Sequence, residues 1–117
     1  MDISGKVWGI TSKIFDKNNV EIHRIVGKAA RYCSKHKHDH KFNMFFVEKG
    51  EVNIRIWKND YDLVDTTILK ESQSCIVPPG EYHQFEITKD SIAYEIYWVE
   101  LDTKDIVREN VGGALNE

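Results

Sequence analysis

Apolar residues come in short runs, broken by polar or glycine-bearing punctuation roughly every ten positions, a rhythm typical of sandwiches and barrels built from short strands. Val7–Phe15 opens the series, with Trp8, Ile10 and Ile14 on one side, and Asp16-Lys17-Asn18-Asn19 reads as a turn cluster. Val20–Val26 alternates strictly. Val20, Ile22 and Arg24 are expected on one face and Glu21, His23 and Ile25 on the other, with His23 outward. Ala29–His38 is expected to stay extended, bringing Tyr32, Ser34, His36 and His38 to a common face. Asn43–Glu48 and Val52–Lys58 flank Lys49-Gly50-Glu51, which predicts a tight hairpin turn on a glycine at positive φ. Leu63–Leu69, Cys75–Val77, His83–Ile87 and Ile92–Leu101 complete the strands, and Asp102–Glu117 is a polar tail. No helical periodicity of useful length intervenes, so the expectation is one all-β, antiparallel domain over residues 1–117. Its core is expected from Trp8, Ile22, Phe45, Val47, Ile54, Ile56, Val77, Phe85, Ile96 and Trp98.

Composition narrows the functional classes. The 117 residues suffice for one core without covalent staples. With 41% apolar and 30% charged residues the chain has ordinary globular chemistry. A net charge of −3 with scattered lysines and arginines speaks against phosphate-led nucleic-acid binding. No apolar run approaches the length of a membrane span, and the start Met-Asp-Ile-Ser-Gly-Lys lacks the form of a signal peptide. Cys33 and Cys75 lack paired-motif spacing and read as free thiols in a cytoplasmic protein. Three tryptophans, five tyrosines and five phenylalanines exceed what one small core uses, which predicts a homodimer.

The candidate chemistry concentrates in His36-Lys37-His38-Asp39-His40. In an extended segment His36 and His38 share a face, close enough for one metal ion. His38 with His40 is a rival register, and His40 is otherwise an auxiliary or rim residue. Cys33 is expected to face away from His36. Lys35, Lys37 and Lys41 form a solvated rim able to attract an anion. Asn43, Tyr32, Arg55, Glu95 and Tyr97 are candidate ligand-contacting residues, and Glu95 is a candidate base if its strand turns it inward. No nucleophile constellation is visible.

Two motifs then resemble the cupin superfamily of small antiparallel jelly-roll barrels. The first, G-x5-H-x-H-x3or4-E-x6-G, aligns with His36-x-His38, Asn43 and Gly50, with Ala30 at the opening glycine. The second, G-x5-P-x-G-x2-H-x3-N, aligns with Pro78-x-Gly80-x2-His83, with Ser72 at the opening glycine and Ile87 at the closing asparagine. The resemblance implies a jelly-roll β-barrel and a metal site on His36, His38 and His83, holding one divalent transition metal such as Zn, Fe, Ni or Mn. Asn43 stands where the family places a glutamate ligand, replacing a charged oxygen with a neutral amide. The C-terminal pattern of Glu95-Ile96-Tyr97, Asp105–Arg108 and Gly112-Gly113 is similar to small cupins among sugar-phosphate isomerases and nucleotide-sugar epimerases. The implied function is binding of, or action on, a small polar molecule such as a sugar or carboxylic acid, by isomerisation, epimerisation or dioxygenation. The alternative is a metal-free ligand-binding or sensing cupin.

Overall fold

The computed structural model describes residues 2–58, 63–99 and 106–115. Eight antiparallel strands form, and no helix occurs among the described residues: β1 (Asp2–Lys6), β2 (Gly9–Lys17), β3 (Val20–Gly27), β4 (Arg31–Tyr32), β5 (Phe42–Lys58), β6 (Leu63–Leu69), β7 (Ser74–Val77) and β8 (Tyr82–Trp98). The strand expected at Val7–Phe15 forms as β2 from Gly9 onward; Val7 and Trp8 make the turn that joins it to β1, with Trp8 buried there. Asn18 and Asn19, both at positive φ (54° and 66°), close the next hairpin, a conformation asparagine tolerates.

The expected hairpin turn at Gly50 does not form. β5 and β8 each run unbroken through the bend and pair with one another along both halves, Phe42–Val47 against Ala93–Trp98 and Val52–Trp57 against Tyr82–Ile87. Register shifts between Val47 and Val52 absorb the change of direction. Gly50 does take positive φ (96°), and a Cβ there would lie 2.3 Å from Ser91 Oγ and 2.4 Å from the Asp90 carbonyl oxygen. A glycine in an apolar strand thus marks a bulge and close backbone approach here, a reading that sequence alone does not separate from a turn.

The two bent strands carry the chain between two layers. One holds β1, β2, β3, the C-terminal half of β8, the N-terminal half of β5, and β7. The other holds β4, the N-terminal half of β8, the C-terminal half of β5, and β6. Between them lie Ile25, Phe45, Val47, Val52, Ile54, Ile56, Val77, Phe85 and Ile87, a buried core whose alternation matches the pleat. Seven of the expected core residues are buried: Trp8, Phe45, Val47, Ile54, Ile56, Val77 and Phe85.

Ile22, Ile96 and Trp98 are not core residues. The parity on β3 is opposite to the expectation: Ile25 and Gly27 are buried, so Glu21 and His23 share their inward face while Ile22 and Val26 look out. Gly27 explains the choice, since a Cβ there would lie 2.2 Å from Ile87 Cδ1. Only the face carrying a glycine can press against the second layer. The consequence is an apolar outer row, Ile22, Ile96, Met44 and Ile76, in register across β3, β8, β5 and β7. Cys33 and Cys75 are free thiols, and burial pushes them up to about 12 and about 11 respectively. Of the polar tail expected at Asp102–Glu117, residues 106–115 are irregular; residues 100–105 lie outside the described set. No helix among the described residues is long and apolar enough to cross a membrane.

Candidate metal centre

His36 and His83 meet across a narrow antiparallel bridge. The His36 amide donates to the His83 carbonyl at 3.0 Å, and the His83 amide to the His36 carbonyl at 2.8 Å. Beyond His36 the backbone follows Pro78-Pro79-Gly80, where Gly80 (φ 86°) donates its amide to the His38 carbonyl at 2.8 Å. The proline–glycine turn thereby brings the head of β8 alongside the His36–His38 segment.

The three imidazoles converge. One nitrogen from each of His36, His38 and His83 lies within 4.8 Å of the other two, and ring centroids are 4.6 to 5.4 Å apart. Two nitrogens on one ion with bonds of about 2.1 Å sit no more than about 4.2 Å apart, so modest side-chain rotation brings this trio to bonding range. The tautomers are set for that task. His36 Nδ1 donates to the Ser34 carbonyl (2.9 Å) and His83 Nδ1 to the Glu81 carbonyl (3.1 Å), leaving each Nε2 with its lone pair. His38 Nε2 is buried with no hydrogen-bond partner among the described residues. A buried orphan nitrogen costs free energy unless something accepts its lone pair, and a cation does so. Burial, with the neighbouring imidazoles adding to it, lowers His83 to about 4. His38 is lowered for the same first reason, with His36 and Lys41 contributing. Neutral imidazole is the metal-ligating form. The donor set therefore fits one borderline-soft divalent ion.

Asn43, aligned above with the glutamate of the first motif it resembles, is 1% exposed and faces the trio from β5. Its Nδ2 lies 3.4 Å from His83 Nε2, while Oδ1 has no partner among the described residues. Amide rotation would present that oxygen to the same point.

A cavity of about 290 Å³ opens beside the trio, lined by His36, His23, Glu95, Tyr97, Trp8 and Cys33 among others. β8 turns Glu95 and Tyr97 inward and Tyr94, Ile96 and Trp98 outward. Tyr97 donates its hydroxyl proton to Glu95 Oε2, and its ring packs edge-on against His38 at 5.2 Å. Burial pushes the Glu95 carboxyl above the usual carboxylate range despite that hydrogen bond. Tyr97 is raised in turn by its own burial and then by Glu95.

Several expected contacts fall elsewhere. Tyr32 is 62% exposed and pairs with Glu86 on the outer side of β4, because the chain loses strand alternation after Tyr32. For the same reason Cys33 and His36, expected on opposite sides, line one cavity. Arg55 points outward and bridges Glu86 at 2.8 Å. His40 is exposed and outside the trio. Lys35 stacks on Trp57 at 4.1 Å and Lys37 faces Tyr82 at 5.3 Å, away from the cavity; Lys41 lies over Tyr97 at 5.2 Å. Sequence reasoning missed Glu21 and His23, which face inward. The clue was Gly27, which shares their parity.

No protein-family model matches the chain, and no curated protein matches it in sequence. Its structure is that of a small cupin-type domain, an antiparallel jelly roll. It is similar to KdgF from Halomonas sp., at 10% identity and a TM-score of 0.71 over 86% of this chain and 90% of that one. The cupin domain of Schizosaccharomyces pombe Cnp3 superposes with a TM-score of 0.69 at 14% identity, over 86% of this chain and 69% of that one. The capsular polysaccharide assembling protein CapF from Staphylococcus aureus gives 0.71 at 18% identity, over 88% of this chain. This chain spans only 29% of CapF.

Proposed function

We propose that this protein binds one divalent transition metal on His36, His38 and His83 and uses it to hold a small polar molecule, a sugar or carboxylic acid, in the adjoining cavity. The observation that carries the reading is the tautomer arrangement. Two imidazoles are tied through Nδ1 to backbone carbonyls, and the third keeps a buried, unpartnered Nε2. A bound metal of this type supplies Lewis acidity towards a carbonyl or hydroxyl oxygen. The chain's own residues do the rest: Asn43 offers an amide, and Glu95 with Tyr97 offers a proton-bearing pair. The cavity volume suits a ligand of few atoms rather than a polymer. CapF is described with the inhibitor 3-isopropenyl-tropolone, and tropolones present two adjacent oxygens to a metal. That makes tropolone a suitable probe here.

The metal-free reading has one observation in its favour, the approach of Asn43 Nδ2 to His83 Nε2, which would occupy the ligating lone pair. Elemental analysis of tag-free protein separates the two. About one equivalent of metal per chain, lost in His83→Ala, supports the metal site. Metal near zero after soaking with zinc or iron leaves the ligand-binding reading. We further propose a homodimer joined through the outer row of Ile22, Ile96, Met44 and Ile76. The free thiols suit a reducing compartment such as the cytoplasm.

A further inference from the structure

Glu21 and His23 on β3 stand directly opposite Tyr97 and Glu95 on β8, a block of four cross-strand neighbours on the inner wall. His23 Nε2 donates to Glu21 Oε2 at 3.1 Å, and the His23 ring packs edge-on against Tyr97 at 5.5 Å. That hydrogen bond engages Nε2 and leaves Nδ1 outside it. Both members of the Glu21–His23 pair keep solvent contact, at 33% and 22% side-chain exposure, while Glu95 is buried. His23, Glu95 and His36 line one cavity, and the Tyr97 ring touches both His23 and His38. The block and the histidine trio are therefore two walls of a single ligand space.

We propose that His23, oriented by Glu21, and Glu95, oriented by Tyr97, are an acid–base pair that transfers a proton between adjacent carbons of a small α-hydroxycarbonyl ligand. The inference rests on the metal-assisted reading above and narrows it to isomerisation, away from oxygenation. A carboxylate on one imidazole nitrogen fixes the ring and leaves the other nitrogen as base, the same logic by which a third group orients a catalytic histidine. Glu95, buried on the same cavity wall directly opposite His23, is placed to carry the proton on the carbonyl side.

The step balances without a co-reactant. His23 takes the proton from the hydroxyl-bearing carbon. That C–H pair becomes the carbon–carbon double bond, the carbonyl π pair moves to oxygen, and Glu95 protonates that oxygen. The other hydroxyl then returns its proton to Glu95 as its carbon becomes the new carbonyl. The double-bond pair collects the proton from His23 at the neighbouring carbon. Both side chains are restored, and the ligand is isomerised. Glu21 and Tyr97 are positioning residues.

The test begins with zinc content, then uses tropolone and hydroxypyruvate as probes. Protein that binds no zinc sinks the metal reading and this inference with it. Protein that binds zinc but not tropolone leaves the metal reading standing and overturns this one. With tropolone bound, the ¹⁵N signals of the His23 imidazole should move, and Glu21→Gln should change their free-state pattern while Glu21→Asp preserves it. Bound tropolone that leaves the His23 signals unmoved overturns the inference. In D₂O the zinc protein should exchange the C3 protons of hydroxypyruvate, and His23→Gln should slow this about 100-fold with zinc content unchanged. No exchange by the wild-type protein, or equal exchange by His23→Gln, overturns it as well.

Discussion

His36 and His83 are hydrogen-bonded to each other twice through their backbones, at 3.0 and 2.8 Å. The pairing ties the first histidine segment to the head of β8, so the trio is held by the sheet ladder rather than by a flexible loop. Sites built on regular elements hold their geometry better than sites on loops. The same bridge sets His83 at 1% exposure, and this has a measurable consequence.

In metal-free protein His83 stays neutral down to about 4, below the ordinary value of 6.5. Between those pH values the unfolded chain binds a proton that the folded chain refuses, so stability rises with pH across the window. The shift corresponds to roughly 3 kcal/mol lost between pH 6.5 and 4. Urea titrations at stepped pH should show the wild type losing stability in that interval and His83→Gln losing markedly less. Equal slopes for the two would mean that His83 is not held neutral. Zinc should steepen the loss, because protons then compete with the ion for the same nitrogens.

Gly50→Ala tests the bend. The new Cβ would meet Ser91 Oγ and the Asp90 carbonyl at 2.3 and 2.4 Å, at a φ of 96° that alanine adopts only under strain. A loss of about 2–3 kcal/mol is expected from strain and displaced packing together. The loss should appear as a lower urea midpoint. A neutral outcome would mean that the two layers can separate at the bend without cost.

How much of this was legible depends on which physical signal was local. The strand rhythm, the apolar parity of β5 and the pair of histidine motifs are short-range patterns, and they located Phe45, Val47, Ile54, His36 and His83 correctly in the fold. The parity of β3 was not local. Ile22 and Ile25 are equally apolar, and only the contact of Gly27 with Ile87 decides which face turns in. That single inversion hid His23 and Glu21. Arg55 lies on the polar side of the β5 alternation, so its outward position was as legible as that of Ile54, and Glu86 only gives it a partner there. Alternation failed after Tyr32 because the His36 segment is held by one isolated bridge rather than a full ladder.

The outer row gives a third prediction. Ile76, at the end of the row of Ile22, Ile96 and Met44, is 52% exposed, and Val26 on the same outer face is 40% exposed. An exposed apolar sheet face of this extent is a common site of association. Sedimentation should give a dimer for the wild type and a monomer for Met44→Glu combined with Ile96→Lys. A wild-type monomer at tens of micromolar would remove this face as a self-association surface.

The last prediction concerns the two positions where the family pattern has glycine and this chain does not. Ala30 and Ser72, opening the two motifs, both sit at positive φ, 61° and 64°. Each is held there by backbone bonds, the Ala30 amide to the Ile87 carbonyl at 2.8 Å and the Ser72 amide to the Val47 carbonyl at 2.7 Å. A residue with a Cβ in the left-handed region costs about 1–2 kcal/mol. Glycine removes that cost but adds about 0.5–1 kcal/mol of unfolded-state entropy. The balance favours glycine, so Ala30→Gly and Ser72→Gly should each stabilise by about 0.5–1 kcal/mol. The two sites lie on different turns and should add. Differential unfolding of the single and double variants measures this directly. A destabilised Ala30→Gly would mean that the turn is not held left-handed in solution. Because Ala30 precedes the His36 segment, a loosened turn there should also widen the trio and weaken zinc uptake.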